Sequence, residues 1–167
     1  MSEMDKIVDV AELEWSDHDG DGGRFESQRK QLGKAAGAQK LGASLYRVPP
    51  GKTAWPRHAH LANEEALFIL SGEGELRIGS ETVSVHAGHY VALPPGEEHA
   101  HQLVNTSDEP IEYLCVSTME EPDVIKYPDS EKIGVFVGAA PGGDSDARTY
   151  DGVHRIADAV DYWDGEE

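Results

Sequence analysis

The sequence predicts an all-β, antiparallel fold, and three observations carry that prediction. From residue 41 onward, short apolar runs recur along the chain. Turn residues separate them: Pro49-Pro50-Gly51, Ser71-Gly72, Gly79-Ser80, Ala87-Gly88, Pro94-Pro95-Gly96 and Asn105-Thr106-Ser107-Asp108. No helical periodicity interrupts this stretch. Many short strands with turn signals about every 8–12 residues indicate a sandwich or a barrel.

In chain order the candidate strands are Ala43–Val48, Trp55–His60, Ala66–Leu70, Glu75–Ile78, Thr82–Val85, Tyr90–Leu93, His101–Val104, Ile111–Thr118 and Ile133–Val137. They define a barrel over residues 41–138. Residues 1–40 read as an acidic extension and a loop-rich lead-in, since the part from 24 onward is polar and broken by glycines at 33, 37 and 42. Asp17-His18-Asp19-Gly20-Asp21-Gly22-Gly23 imitates the start of a calcium loop. Its twelfth position is Gln28, which has no carboxylate for bidentate binding, so a flexible acidic loop is expected. Residues 139–167 read as an acidic tail with a short helix, because Val153, Ile156, Val160 and Trp163 share one stripe at helical spacing.

The 167 residues fit one domain with room for a hydrophobic core. The formal charge of −18 is concentrated at the ends. Residues 1–22 hold eight acids against one lysine, and residues 144–167 hold eight against two arginines. Such a chain lacks the clustered cations that nucleic acids and anionic membranes require. A salt-adapted proteome also yields acidic chains, but concentration in the tails favours solvated segments that aid solubility. The single Cys115 cannot form an internal disulfide. With no visible secretory signal and no apolar run near the length of a membrane span, a cytoplasmic location is expected.

The chemistry lies between Gly51 and Asn105. His58 and His60, two residues apart on a strand, project to the same face. Glu65 follows a short connection, and a further histidine arrives from a strand about 40 residues away. Three imidazoles and a carboxylate suit one divalent transition metal (Fe, Mn, Ni, Zn, Co or Cu) and suit Ca or Mg poorly. The other histidines read as bystanders: His86 and His89 as surface residues, His18 and His154 as solvated. Trp55 reads as barrel wall. Arg47 and Arg57 are candidates for binding a substrate carboxylate, or for pairing with surface acids.

These residues resemble the cupin superfamily. His58-x-His60, Glu65 and Gly72 fit its first motif, with Gly51 one residue farther upstream than usual. Gly88, Pro94 and Gly96 fit the second, and 15 residues separate Gly72 from Gly88. The pattern then splits. His99 keeps the spacing from Gly96 but is followed at the Asn position by Leu103, whereas His101 keeps the spacing to Asn105. A two-residue insertion in the Gly96–His101 turn reconciles them. It is cheaper than a register shift that would displace a whole inward face, so His101 is favoured as third imidazole. His99 is left as a supporting or acid–base group. From about Gln31 to Lys132 the chain is similar to a bacterial subfamily of single-domain cupins, sharing Leu41-Gly42, Pro49-Pro50-Gly51, Asn63-Glu64-Glu65, the Ala100–Asn105 run, Ser117-Thr118 and Tyr127-Pro128-Asp129-Ser130.

The resemblance implies a double-stranded β-helix, or jelly-roll barrel. It places one metal in the barrel mouth on His58, His60, Glu65 and His101, with one or two positions left open. A metal-dependent enzyme acting on a small polar metabolite follows, either a dioxygenase or an isomerase- or lyase-like catalyst, with His99, Tyr46 and Tyr113 as candidate acid–base groups. A non-catalytic metal-dependent binding or sensor module for a sugar or organic acid is the alternative, and a purely structural oligomerisation unit is a third. Small cupins resemble one another in dimerising through barrel edges, so a homodimer is expected.

Overall fold

A computed structural model describes residues 6–20 and 23–166. These form antiparallel sheets in a jelly roll with almost no helix. The larger layer has six strands in the order β1 (Ser16–Asp19), β2 (Glu26–Gln31), β3 (Leu41–Val48), β10 (Ile111–Thr118), β5 (Glu65–Ser71) and β8 (Tyr90–Leu93). Opposite it lie a three-stranded sheet, β7 (Glu81–His86)–β6 (Glu73–Ile78)–β9 (His101–Val104), and a four-stranded one, β13 (Tyr150–Arg155)–β12 (Lys132–Val137)–β11 (Asp123–Tyr127)–β4 (Ala59–His60). His58 and His101 join these two sheets by exchanging both backbone hydrogen bonds, at 3.1 and 2.8 Å.

The strands form where side chains alternate between core and solvent. Along β5, Leu67 and Ile69 are buried while Phe68 and Leu70 are exposed. Leu76, Val85, Leu93, Leu103, Ile111 and Val48 join them in one apolar cluster that closes the inner end of the barrel. Gly72 makes the turn from β5 to β6 with φ +79°, and a Cβ there would sit 2.6 Å from the Pro110 carbonyl. Only glycine meets both demands.

Three expectations need correction. The loop-rich lead-in contains two strands, β1 and β2, paired with each other and, through β2, with β3. The expected acidic loop is therefore strand over Ser16–Asp19; Asp21 and Gly22 lie outside the described residues. These strands escaped detection because their inward residues, including His18, Arg29 and Gln31, are polar and leave no apolar alternation. Secondly, the C-terminal stripe is not a helix. Tyr150–Arg155 pairs with β12, Val153 opposite Gly134, followed by the 3-10 turn Ile156–Asp158. Gly152 and repeated Asp are poor helix formers, and the edge of β12 offers a ladder of backbone partners. Thirdly, the strand expected over Trp55–His60 shrinks to Ala59–His60, since Pro56 has no N–H to give the ladder. β11 was not expected at all.

Asn105, fully buried, closes the turn after β9. Its amide nitrogen donates to the Val48 and Glu109 carbonyls at 2.9 and 2.8 Å, and its oxygen accepts from the Ser107 N–H and hydroxyl at 3.0 and 2.9 Å. Asn105→Ala removes the side-chain donor to the buried Val48 carbonyl and one of two donors to the Glu109 carbonyl, and it frees the Ser107 N–H. It should cost about 2–4 kcal/mol, read as a lower denaturant midpoint at unchanged slope.

Candidate metal centre

Four side chains from different parts of the chain converge at one point. His58 sits just before β4, His60 within it, Glu65 opens β5 and His101 opens β9. Oε2 of Glu65 lies 3.2 Å from His101 Nε2, 3.6 Å from His60 Nε2 and 3.9 Å from His58 Nε2. The ligand atoms of His58, His60 and Glu65 fall within 4.8 Å of one another. Around a transition metal with bonds near 2.1 Å, ligand atoms stand about 3.0–3.4 Å apart. His58, His60 and Glu65 would have to draw together to reach such spacings, and His101 approaches the group through Glu65.

The imidazoles are held in the tautomer that a metal requires. Nδ1 of His58 donates to the Pro56 carbonyl (2.8 Å), Nδ1 of His101 to the His99 carbonyl (3.1 Å), and Nδ1 of His60 to the buried Asp123 carboxylate (2.5 Å). Each partner is an acceptor only. Nδ1 of each ring therefore carries a proton, and Nε2 is the atom that faces Glu65 at the shared centre. Asp123 also accepts from the Ala62 N–H at 3.3 Å, which fixes its orientation. Cys115 donates to the other oxygen, Oε1, of Glu65 at 3.8 Å.

Electrostatics agree with this geometry. Burial, helped by the neighbouring His101 and His60, lowers His58 to about 4, so it is neutral near pH 7. Burial also opposes the charged form of His60, but the hydrogen bond to Asp123 and the charges of Glu65 and Asp123 outweigh it and raise its pKa. Burial would raise Glu65, yet the hydrogen bond from His101 and the three nearby imidazoles bring it down to about 2. A permanent carboxylate ringed by imidazoles is the donor chemistry of a transition-metal site.

The cluster lines one side of a cavity of about 260 Å³. At about 30 Å³ per water-sized unit, that suits a ligand of roughly ten non-hydrogen atoms. Tyr46 and Tyr113 also line it, stacked at 5.2 Å with 20° between their rings. Burial raises both phenols, so each is a proton donor rather than a base at neutral pH. Trp55, expected as wall, stands edge-on to Tyr46 at 6.0 Å and lines the cavity while one-third exposed.

Other candidates are placed elsewhere. The sequence left His99 and His101 in competition, and the structure brings His101 to Glu65. His99 ends the 3-10 turn Glu97–His99, its half-exposed imidazole 3.8 Å from Glu98 and outside the cavity. Only its carbonyl serves the cluster, so the acid–base role considered for it is withdrawn. Arg47 pairs with Glu112 at 2.6 Å and lies over Trp15. Arg57 pairs with Asp129 at 3.3 Å and donates to the Gly79 carbonyl. Neither has a guanidinium to spare for a substrate. His86 is exposed, as expected, and His89 is part-buried, with their rings 3.9 Å apart. His18 is part-buried against Trp55 at 5.6 Å rather than solvated. Asp123 and Cys115 were missed by sequence reasoning. The alternation of Val124 and Lys126 between buried neighbours was a faint signal for Asp123, and the apolar run around Cys115 hid its inward position.

Residues 44–117 match the family defined as the cupin domain. Among solved structures, a putative sugar phosphate isomerase from Acidithiobacillus ferrooxidans is 22% identical, with 94% of this chain and 96% of that chain covered and a TM-score of 0.78. A sugar phosphate isomerase of the cupin superfamily from Silicibacter pomeroyi is 23% identical, covering 95% and 98%, with a TM-score of 0.75. A predicted oxalate decarboxylase from Thermotoga maritima is 24% identical, covering 67% and 97%, with a TM-score of 0.59. No curated protein matches the sequence. At these identities the likeness speaks to the fold.

Three predictions follow from the cluster. In elemental analysis of protein made without an affinity tag, His101→Ala should lose most of its metal and His99→Ala should keep it. Asp123→Asn should bind the metal about 10–100-fold more weakly. Because a raised pKa leaves a proton on His60 that metal must displace, affinity should fall as pH drops through the range above the usual histidine value of about 6.5. Chelator competition would show this. A fall confined to pH near 4 would contradict it.

Proposed function

We propose that this chain, a cupin by its fold and by the domain at residues 44–117, is a metal-dependent enzyme of the isomerase or lyase type acting on a small polar metabolite. His58, His60, Glu65 and His101 would hold one divalent transition metal. When bound, such an ion supplies Lewis acidity toward a substrate carbonyl or hydroxyl. The observation that carries the reading is the placement of the four-residue cluster on the wall of a cavity large enough for a substrate, rather than in closed packing. A structural metal site has no need of such space.

The chain's own groups define what else is possible there. Glu65 stays ionised and Asp123 fixes the ring of His60. Tyr46 and Tyr113, protonated at neutral pH, can donate a hydrogen bond to a substrate oxygen that gains negative charge. The names of two structural neighbours, a putative sugar phosphate isomerase and a sugar phosphate isomerase of the cupin superfamily, support this class of reaction. Dioxygenase chemistry stays within the same reading if the resident metal is redox-active.

One observation favours a second reading. With His99 outside the cavity, the carboxylate and imidazole groups that line it among the described residues all belong to the cluster itself, and a binding module for a sugar or organic acid needs no separate base. No helix among the described residues is long and apolar enough to cross a membrane. A cytoplasmic location accords with the lone, unbridged Cys115. A homodimer accords with the exposed Tyr150, Val153 and Ile156 at the β13 edge.

The test is turnover of a panel of small sugar phosphates, hydroxy acids and dicarboxylates by metal-loaded protein. Turnover that disappears on chelation and falls about 100-fold in Tyr113→Phe would support the enzyme. Melting shifts with ligand but no turnover across the panel would establish the binding module instead.

A further inference from the structure

The chain carries 32 acidic residues, and its cations are largely paired with them. Arg47, Arg57, Arg77 and Arg148 each meet a carboxylate within 3.3 Å. Arg24 and Arg155 are exposed. Arg29 differs from all of these. It is part-buried, lines the same cavity as the histidine cluster, and forms no ion pair among the described residues. Its Nε, like that of Arg57, is sealed from solvent without a hydrogen-bond partner, and the neighbour its guanidinium reaches is the Tyr46 hydroxyl rather than a carboxylate.

Its position follows from sheet register. Arg29 on β2 stands opposite Tyr46 on β3, which stands opposite Tyr113 on β10. This inward row runs across the layer whose fifth strand, β5, begins with Glu65. Arg29 and Glu65 therefore project into one cavity from strands three places apart, with the two tyrosines between them. At the rim, Lys34 adds a second cation. Against these the lining offers only the Glu65 carboxylate, which the histidines engage. A part-buried guanidinium with no carboxylate partner is costly. In a chain this acidic, leaving one unpaired at a cavity wall is a requirement for an anion from outside.

We propose that the cavity takes a substrate with an anionic end, a phosphate or a carboxylate, which Arg29 binds while the oxygen-bearing opposite end meets the His58–His60–Glu65–His101 cluster. This deepens the metal-enzyme reading and rests on it for the second contact only. The planar guanidinium matches either anion in a two-point contact. Tyr46 beside it fixes its approach. The size of the cavity limits the whole molecule to roughly ten non-hydrogen atoms.

The experiment is calorimetric titration of metal-loaded protein with dihydroxyacetone phosphate, malate and, as the uncharged control, dihydroxyacetone. Wild type, Arg29→Ala, Arg29→Lys and His101→Ala are compared, with metal content and melting temperature recorded for each. At least one anionic probe should bind wild type, and which one separates phosphate from carboxylate recognition. Arg29→Ala should weaken that probe roughly 10–100-fold, with dihydroxyacetone unaffected and metal content kept. Arg29→Lys, which preserves charge but not the fork, should recover part of the loss and guards against a folding defect. Equal binding of the anions by wild type and Arg29→Ala, or no anion binding by wild type, overturns the proposal. Failure of the metal reading looks different: wild type would lack metal or His101→Ala would retain it, while any dependence on Arg29 persisted.

Discussion

The Glu65 carboxylate is the interaction on which the rest of the structure depends. A buried anion is tolerable only when surrounded by donors or cations, and three imidazoles from three separate positions supply them. His58 and His101 belong to backbone segments that pair directly, His60 to a two-stranded contact with β11, and Glu65 to the opposite layer. Closing the jelly roll is what brings them together, so the cluster also fastens the layers across the open end of the barrel. The inner end needs no such device, because Leu76, Leu93, Leu103 and Ile111 fill it.

Around the carboxylate, each imidazole is turned by a different acceptor. Two use backbone carbonyls, Pro56 and His99, that are fixed by local chain geometry. The third uses Asp123, a full charge buried at the start of β11. The consequence is an uneven site. His58 is neutral over the whole physiological range, whereas His60 holds a proton more tightly than an ordinary histidine. Glu65 stays ionised at any pH above about 2.

How much of this could be read from the sequence depends on distance along the chain. His58, His60, Glu65, Gly72 and Asn105 were legible because their spacings encode strand faces and turns directly. The choice between His99 and His101 was legible only as a preference, since two spacings pointed to different residues. The turn Glu97–His99 resolves the geometry by absorbing two residues so that His101 opens β9 in register with His58. Asp123 lies 63 residues from its partner His60, and no local spacing connects them. The C-terminal stripe misled because Val153 and Ile156 satisfy a helical period while occupying an edge strand and the turn after it.

The polar strands β1 and β2 hold the more general lesson. Apolar alternation marks a strand whose inward face meets the core. Where a barrel is hollow, the inward face meets a cavity instead, and polar side chains such as Arg29 and Gln31 are what a ligand-bearing cavity wants. The absence of an apolar pattern, which made residues 24–31 look like loop, is the imprint of the cavity they line. The element hardest to detect is thus the one that contributes the uncompensated cation. In a chain of net charge −18, long-range electrostatics repel anions from the surface, so recognition of an anionic ligand has to be local and buried. A single guanidinium within a cavity, facing the histidine–carboxylate cluster, meets that condition.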